Sequence, residues 1–346
     1  MAKTTRKAPA TIKGKAKAKA KPKPKVKAKT KTKATATASA NVGVMRLRLL
    51  GVRGSRPTHK RGLLGYGGNS TAFELSFPDE GFYLFVDGGS GLARRGQELG
   101  ETPAKTRFHF LVTHTHWDHI LGYPFFKPIY SAQNDMSFYA SDTTRSTFND
   151  LFFGLQRTSN LPVPRGQLKA KLRFETLTPE QPLIIENKVR VETYQLNHQG
   201  VTLGYRITYG TGANEQSVCI VTDNAPIGGA NFLGEGMRDR AGQDPKAFEK
   251  TFDDGLVRFL KDAHTVVFDT HFTEASLKAD WGHSTPQRAL AFCKAAGVKR
   301  LILFHHAPED MDPAVDDKVQ SIFHDACQAG IEVDAAREGD EWDLCA

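Results

Sequence analysis

From residue 45 onward, short apolar runs alternate with polar, glycine-punctuated turns, a rhythm that predicts a protein of mixed strands and helices. Residues 45–52 alternate as a strand. Residues 71–77 and 82–86 read as the next two and close at Asp87-Gly88-Gly89-Ser90-Gly91. Residues 108–112 read as a buried strand. Residues 189–195 alternate again, 202–207 pair back on them, and 217–223 form an apolar strand ending in a carboxylate. Phe248, Phe252, Leu256, Phe259 and Leu260 recur at helical spacing, so 247–261 predicts a helix with a core-facing stripe. Residues 264–269 and 301–306 are further strands, the second ending in two imidazoles. Ser284 or Thr285 can cap a helix through Phe292 that has Pro286 in its first turn. Residues 313–329 read as a closing helix and 331–335 as a final edge strand. The apolar, aromatic run 122–126 reads as a short helix start and pocket wall. Residues 140–175 are less regular and suit a lid, a substrate-facing insertion or a homodimer contact equally.

Charge divides the chain. The net charge is +9, yet residues 1–40 hold thirteen Lys and one Arg with no acid, a charge of +14. The remainder therefore carries −5. Lys alternating with Ala, Pro and Thr buries no apolar area and repels itself, so residues 1–42 are expected to be a disordered basic tail before a globular unit spanning 43–346. That tail resembles linker-histone tails, which hold nucleic acid or another polyanion through counterion release. It has no apolar core of a secretory signal, and no run is long enough to span a bilayer. Cys219, Cys293, Cys327 and Cys345 are scattered without C-x-x-C spacing, as expected of thiols in a reducing compartment, so a soluble cytoplasmic protein is anticipated.

The stretch that carries chemistry is Thr113-His114-Thr115-His116-Trp117-Asp118-His119, behind the strand at 108–112. Three imidazoles and a carboxylate within six residues are ligands for Zn²⁺ and related ions. His114 and His116 can face one ion while Asp118 and His119 face a second, and the missing ligands must come from further along. His198 follows a strand end, Asp223 ends another, and His305 and His306 end a third.

The H-x-H-x-D-H run, the strand-end His and Asp, and Gly282-His283-Ser284-Thr285 together resemble the metallo-β-lactamase-fold hydrolases, in the phosphodiesterase branch that includes tRNase Z and cyclic-phosphodiesterase-like enzymes. The resemblance covers roughly residues 45–340. It implies an α+β fold, a four-layer αββα sandwich. It implies two divalent ions, Zn²⁺ first with Mn²⁺ or Fe as alternatives. His114, His116 and His198 would hold one, Asp118, His119 and His305 the other, and Asp223 would bridge them. His306 is the alternative to His305. Asp118 and His283 would be catalytic, His283 protonating the leaving oxygen. Asp87 is expected to be structural or to support a ligand. The glycine turns at 51–57 and 66–70 would line the active-site floor; their amides can cradle a phosphate, or their glycines can merely permit tight hairpins. No Glu stands at Thr115 or His116, which departs from the diiron oxygen-reducing branch. Asp at 223, where β-lactamases proper often carry Cys, points to phosphodiesters. A small phosphodiester such as a 3′,5′-cyclic nucleotide is the expected substrate. An RNA- or DNA-processing nuclease, a lactone or thioester hydrolase, and a polyanion-binding protein with a structural metal site are the alternatives.

Overall fold

The structure, a computed structural model, describes residues 43–63, 65–100, 105–155, 165–178, 181–227, 233–234, 237–241, 244–278 and 280–344. The basic tail, residues 161–164 and Cys345 lie outside them.

The chain lays down Arg46–Gly51 (β1), Ala72–Ser76 (β2), Phe82–Val86 (β3), Arg107–Leu111 (β4), Asp135–Ala140 (β5) and Lys171–Thr176 (β6) as one sheet. It then builds a second from Leu183–Ile185 (β7), Val189–Leu196 (β8), Thr202–Tyr209 (β9), Gln216–Val221 (β10), Thr265–Asp269 (β11), Arg300–Phe304 (β12) and Glu332–Ala335 (β13). Glu341–Asp343 (β14) returns to pair with β1, so among the described residues the orders are β14-β1-β2-β3-β4-β5-β6 and β13-β12-β11-β10-β9-β8-β7. The helices are Ser90–Leu99 (α1), Trp117–Ile120 (α2), Asp142–Leu155 (α3), Arg238–Ala241 (α4), Pro245–Leu260 (α5), Pro286–Ala296 (α6) and Asp312–Gln328 (α7).

The period-two alternation of the strands sorts the apolar residues into layers. Leu47, Leu49, Phe73, Leu75, Leu84 and Val86 face inward and meet Val218, Ile220, Val267, Ile302 and Phe304 of the other sheet in a core to which, among the described residues, strands and loops contribute but no helix does. The intervening residues face outward. Leu50, Ala72, Phe85, Phe108 and Phe110 pack under Leu92 of α1 and Phe148 and Phe152 of α3. On the far side, Cys219, Val221, Val266, Phe268, Leu301 and Leu303 pack under Phe252 and Leu256 of α5, Leu290 of α6 and Ile322 of α7. Helix, sheet, sheet, helix: the expected four-layer sandwich is the observed one.

Three local expectations change. The irregular stretch is scaffold where it is described: α3 and β6 complete the first sheet and its cover, Phe174 stacks on Phe138, and Phe148 and Phe152 meet that ring at a tilt. The run 122–126 is a 3₁₀ turn whose Tyr123 and Phe126 fill the outer core, while Phe125 is exposed. It is not a pocket wall. Finally, β13 is the edge of the second sheet, but β14 follows it.

Strands β3 to β6 run parallel, as do β10 to β13, and β8 runs in the same sense as β10 because each is antiparallel to β9. Loops leaving the C-terminal ends of β3, β4, β8, β10, β11 and β12 carry the polar residues that form the site.

Candidate metal centre

The loop after β4 delivers His114 and His116, and α2 turns Asp118 and His119 inward. His198 leaves β8, Asp223 leaves β10 and His305 leaves β12. All seven converge. Ligand atoms of His114, His116, His198 and Asp223 lie within 4.8 Å of one another, and so do those of Asp118, His119 and His305.

Asp223 stands between the two groups. Its Oδ2 is 3.6 Å from Nε2 of His114 and 3.4 Å from Nε2 of His198. Its Oδ1 is 3.4 Å from Nε2 of His119 and 3.2 Å from Nε2 of His305. On the second group, Asp118 Oδ2 is 3.3 Å from Nε2 of both His119 and His305. His116 turns Nδ1 inward, 3.2 Å from Nε2 of His198. The backbone is forced at this point: Asp223 and His305 have φ of 24° and 62°, left-handed values that non-glycine residues adopt at a cost.

The hydrogen bonds behind the imidazoles fix their tautomers. Asp87 leaves β3 fully buried with φ of 58° and accepts from Thr113 N–H (2.8 Å), Thr113 Oγ1 (2.7 Å) and His119 Nδ1 (2.7 Å). Since the Thr113 hydroxyl gives its proton to Asp87, it accepts from His114 Nδ1 at 3.0 Å. His198 Nδ1 donates to the Gly282 carbonyl at 2.9 Å. In all three rings Nδ1 is the nitrogen engaged from behind, so that each ring, when neutral, turns its Nε2 lone pair to the centre, the arrangement that metal-bound histidines adopt. Asp87 is thus a support for a ligand, as expected.

The electrostatics suit a cation. Burial opposes ionisation of Asp118 and Asp223, yet the histidines around them hold both carboxyls well below the usual range. His119, although buried, is held well above the ordinary imidazole value by Asp118, Asp223 and Asp87. Burial pushes His114 well down and His198 down to about 4. Nε2 of His114, Nε2 of His119 and Oδ1 of Asp223 are buried without a hydrogen-bond partner. Orphaned nitrogens around paired carboxylates fit divalent ions with N and O donors, and the set contains no thiolate.

His305, not His306, faces the centre. His306 turns away and its Nε2 donates to the Ala336 carbonyl at 2.8 Å, against the ring of Tyr66. His283 precedes α6, whose cap is Thr285 accepting from Arg288 N–H, and its Nδ1 donates to Asp269 Oδ2 at 3.0 Å. Asp269 raises His283 although burial opposes it.

Two residues escape sequence reasoning. Asp269, at the end of β11, also accepts from Asn224 N–H (3.1 Å) and His271 N–H (2.9 Å), tying three loops together. His271 stacks on His283 with centroids 4.5 Å apart and is pushed down to about 3 by burial, then by its neighbours His283 and His305. The only signal was an Asp-Thr-His run at a strand end.

The glycine turns serve the fold. Amides of Gly68 and Asn69 donate to Glu338, and Ser55 N–H donates to Asp118 Oδ2 at 2.8 Å. These N–H groups are engaged by carboxylates, which favours the hairpin reading over a phosphate cradle. Gly54 is required for another reason: a Cβ there would overlap the His305 ring.

A cleft of about 390 Å³ opens over the centre, lined by His116, Asp118, His198, Asp223, His283 and His305 and by Ser55, Trp117, Gln199, Asp280 and Trp281.

No protein-family model matches the chain. It is 26% identical over 301 residues to ribonuclease Z of Latilactobacillus sakei subsp. sakei (strain 23K), covering 78% of this chain and 90% of that one. Among solved structures it resembles the metallo-β-lactamase fold protein YhfI of Bacillus subtilis, with a TM-score of 0.61, 17% identity, and 87% and 99% of the two chains covered. The short form of human tRNase Z superposes with a TM-score of 0.55 at 18% identity, covering 87% and 100%. These likenesses place the chain in the metallo-β-lactamase fold, on its phosphodiesterase and tRNase Z branch. Both the family expectation and the enzyme class, a metal-dependent phosphoric diester hydrolase, are borne out. Among the described residues, no helix is long and apolar enough to cross a membrane.

Proposed function

We propose that this hydrolase binds two divalent ions, Zn²⁺ in the first instance, and cleaves a small phosphodiester, with 3′,5′-cyclic nucleotides the leading class. His114, His116 and His198 would hold one ion and Asp118, His119 and His305 the other, with Asp223 placed between the two groups. Ions held there would supply water activation and charge compensation for a phosphoryl displacement. The chain's own residues do the rest. Asp87 and Thr113 lock the imidazoles that they touch. Asp269 keeps a proton on His283 Nδ1 and favours the imidazolium, so that Nε2 can give its proton to the departing oxygen. No Ser or Cys nucleophile is required. Asp118, fixed by Ser55 N–H, both ligates and keeps His119 and His305 in place.

One observation favours a small substrate: the cleft is of small-molecule size and no Lys or Arg is among the described residues that line it. A polynucleotide track needs cationic side chains along its backbone. The open cleft also speaks against a purely structural metal site, which would be closed. The second reading, an RNA-processing nuclease, rests on the ribonuclease Z relatives and the +14 tail, which would supply the missing cations. Removing residues 1–42 separates the two. Turnover of a cyclic nucleotide should persist with little change in salt sensitivity; loss of all activity except on RNA, together with a collapse of RNA affinity in the truncated chain, would favour the nuclease. Esterase activity on lactones or thioesters without any diester cleavage would move the assignment to carbonyl substrates.

A further inference from the structure

We propose that Trp117 and Trp281 form an aromatic subsite at the mouth of the metal cleft that stacks the base of a nucleotide substrate. The inference rests on the small-phosphodiester reading and adds what that substrate carries. Both indoles line the cleft, yet they are 57% and 48% exposed, unusual for the largest apolar side chain. Metal ligation does not require a large ring at either position. In α2 the ligands Asp118 and His119 are buried, and Trp117, the first residue of the helix, is the one left pointing outward. Among the described residues Trp117 stacks on no other ring.

Trp281 is held from behind. Its ring meets Phe272 edge-on with centroids 6.3 Å apart, and the Lys278 ammonium sits 4.1 Å from its centroid. One indole face is taken by that cation, which leaves the other for a planar ligand. Trp281 is followed by Gly282, whose carbonyl orients His198, and then by His283. A base resting there would place its phosphate beside the metal ligands on one side and the proton donor on the other. Asp280, also on the cleft, repels a second phosphate but accepts from the N–H groups of a base. With the Lys278 ammonium already seated on one face of Trp281, the free aromatic faces beside a carboxylate suit a nucleobase rather than a continuing phosphate chain.

The test uses the full-length, metal-loaded chain. Hydrolysis of 3′,5′-cyclic AMP is compared with that of 1-deoxyribose 3′,5′-cyclic phosphate, which lacks the base, in wild type, Trp117→Ala, Trp281→Ala and Trp281→Phe. The KM ratio between the two substrates should shift about ten-fold or more in each alanine variant, and phenylalanine should restore most of it. An unchanged ratio, or equal losses on both substrates, overturns the subsite. If neither diester is cleaved by the wild type, the small-diester reading fails separately. Quenching of tryptophan fluorescence by AMP then decides: quenching that Trp117→Phe and Trp281→Phe diminish supports the stack, and no quenching overturns it.

Discussion

Asp87→Asn isolates the support beneath the second ion. The carboxylate is fully buried and takes three hydrogen bonds, from the Thr113 amide, the Thr113 hydroxyl and His119 Nδ1. Asparagine has the same shape but one of its two terminal atoms is a donor. Either way round, the amide nitrogen meets a donor: facing Thr113 N–H it breaks the turn that carries His114, and facing His119 Nδ1–H it makes the imidazole lose that bond or move its proton to Nε2, the atom that faces Asp118 and Asp223. A protonated Nε2 cannot ligate. Outer-shell changes of this kind weaken metal affinity by about 10–100-fold, or about 1.4–2.8 kcal/mol. The loss should fall on one ion of the two, because the first group is held by His198 and Gly282 as well. Competition with a chromophoric chelator resolves the two affinities, and thermal unfolding of the metal-free protein serves as the control. Removing a buried charge lifts a desolvation cost, so metal-free stability should not fall in step with affinity. Two unchanged dissociation constants would show that His119 does not ligate through Nε2, or that Asp87 does not orient it.

Other outcomes follow from single contacts. His305→Ala should remove one ion, whereas His306→Ala should keep both and lower stability, since His306 is buried and donates to Ala336; metal analysis of the two variants checks this. Gly54→Ala should cut activity by displacing the His305 ring while leaving the far-UV spectrum unchanged, and retention of full activity would contradict the close approach. His109 is lowered from its ordinary value of 6.5 by burial, against the pull of Glu186. The unfolded chain therefore binds the proton first, and the metal-free protein should lose stability as pH falls through about 6.5. His109→Gln should make that loss shallower, as denaturant midpoints at pH 7.5 and 5.5 would record. His283→Ala should retain both ions and slow chiefly substrates with poor leaving groups; parallel loss of metal would make His283 a ligand.

What was legible in the sequence was what is local. The ligands at 114–119 lie within one loop and one helical turn, and the strands of the central core announce themselves by alternation. His198, Asp223 and His305 were found because each ends such a strand, and resemblance supplied their roles. Register between His305 and His306 was not decidable until the Ala336 carbonyl was seen to claim His306. Asp269 and His271 were missed because their partners, Asn224, His283 and His305, come from three other loops. The same holds for the second glycine turn: its amides meet Glu338, some 270 residues away. β14 has three residues, too few for a period, and β6 is an exposed edge strand of alternating charge whose apolar half packs under α3.

Whether the proposed dinuclear centre cleaves phosphodiesters is decided by metal content per chain together with hydrolysis of bis-p-nitrophenyl phosphate and a panel of cyclic nucleotides on the same preparation, before and after chelation. Two ions per chain are expected, with diesterase activity that chelation removes and metal restores. A chain that binds no metal, or that cleaves diesters equally well without it, would contradict the proposal.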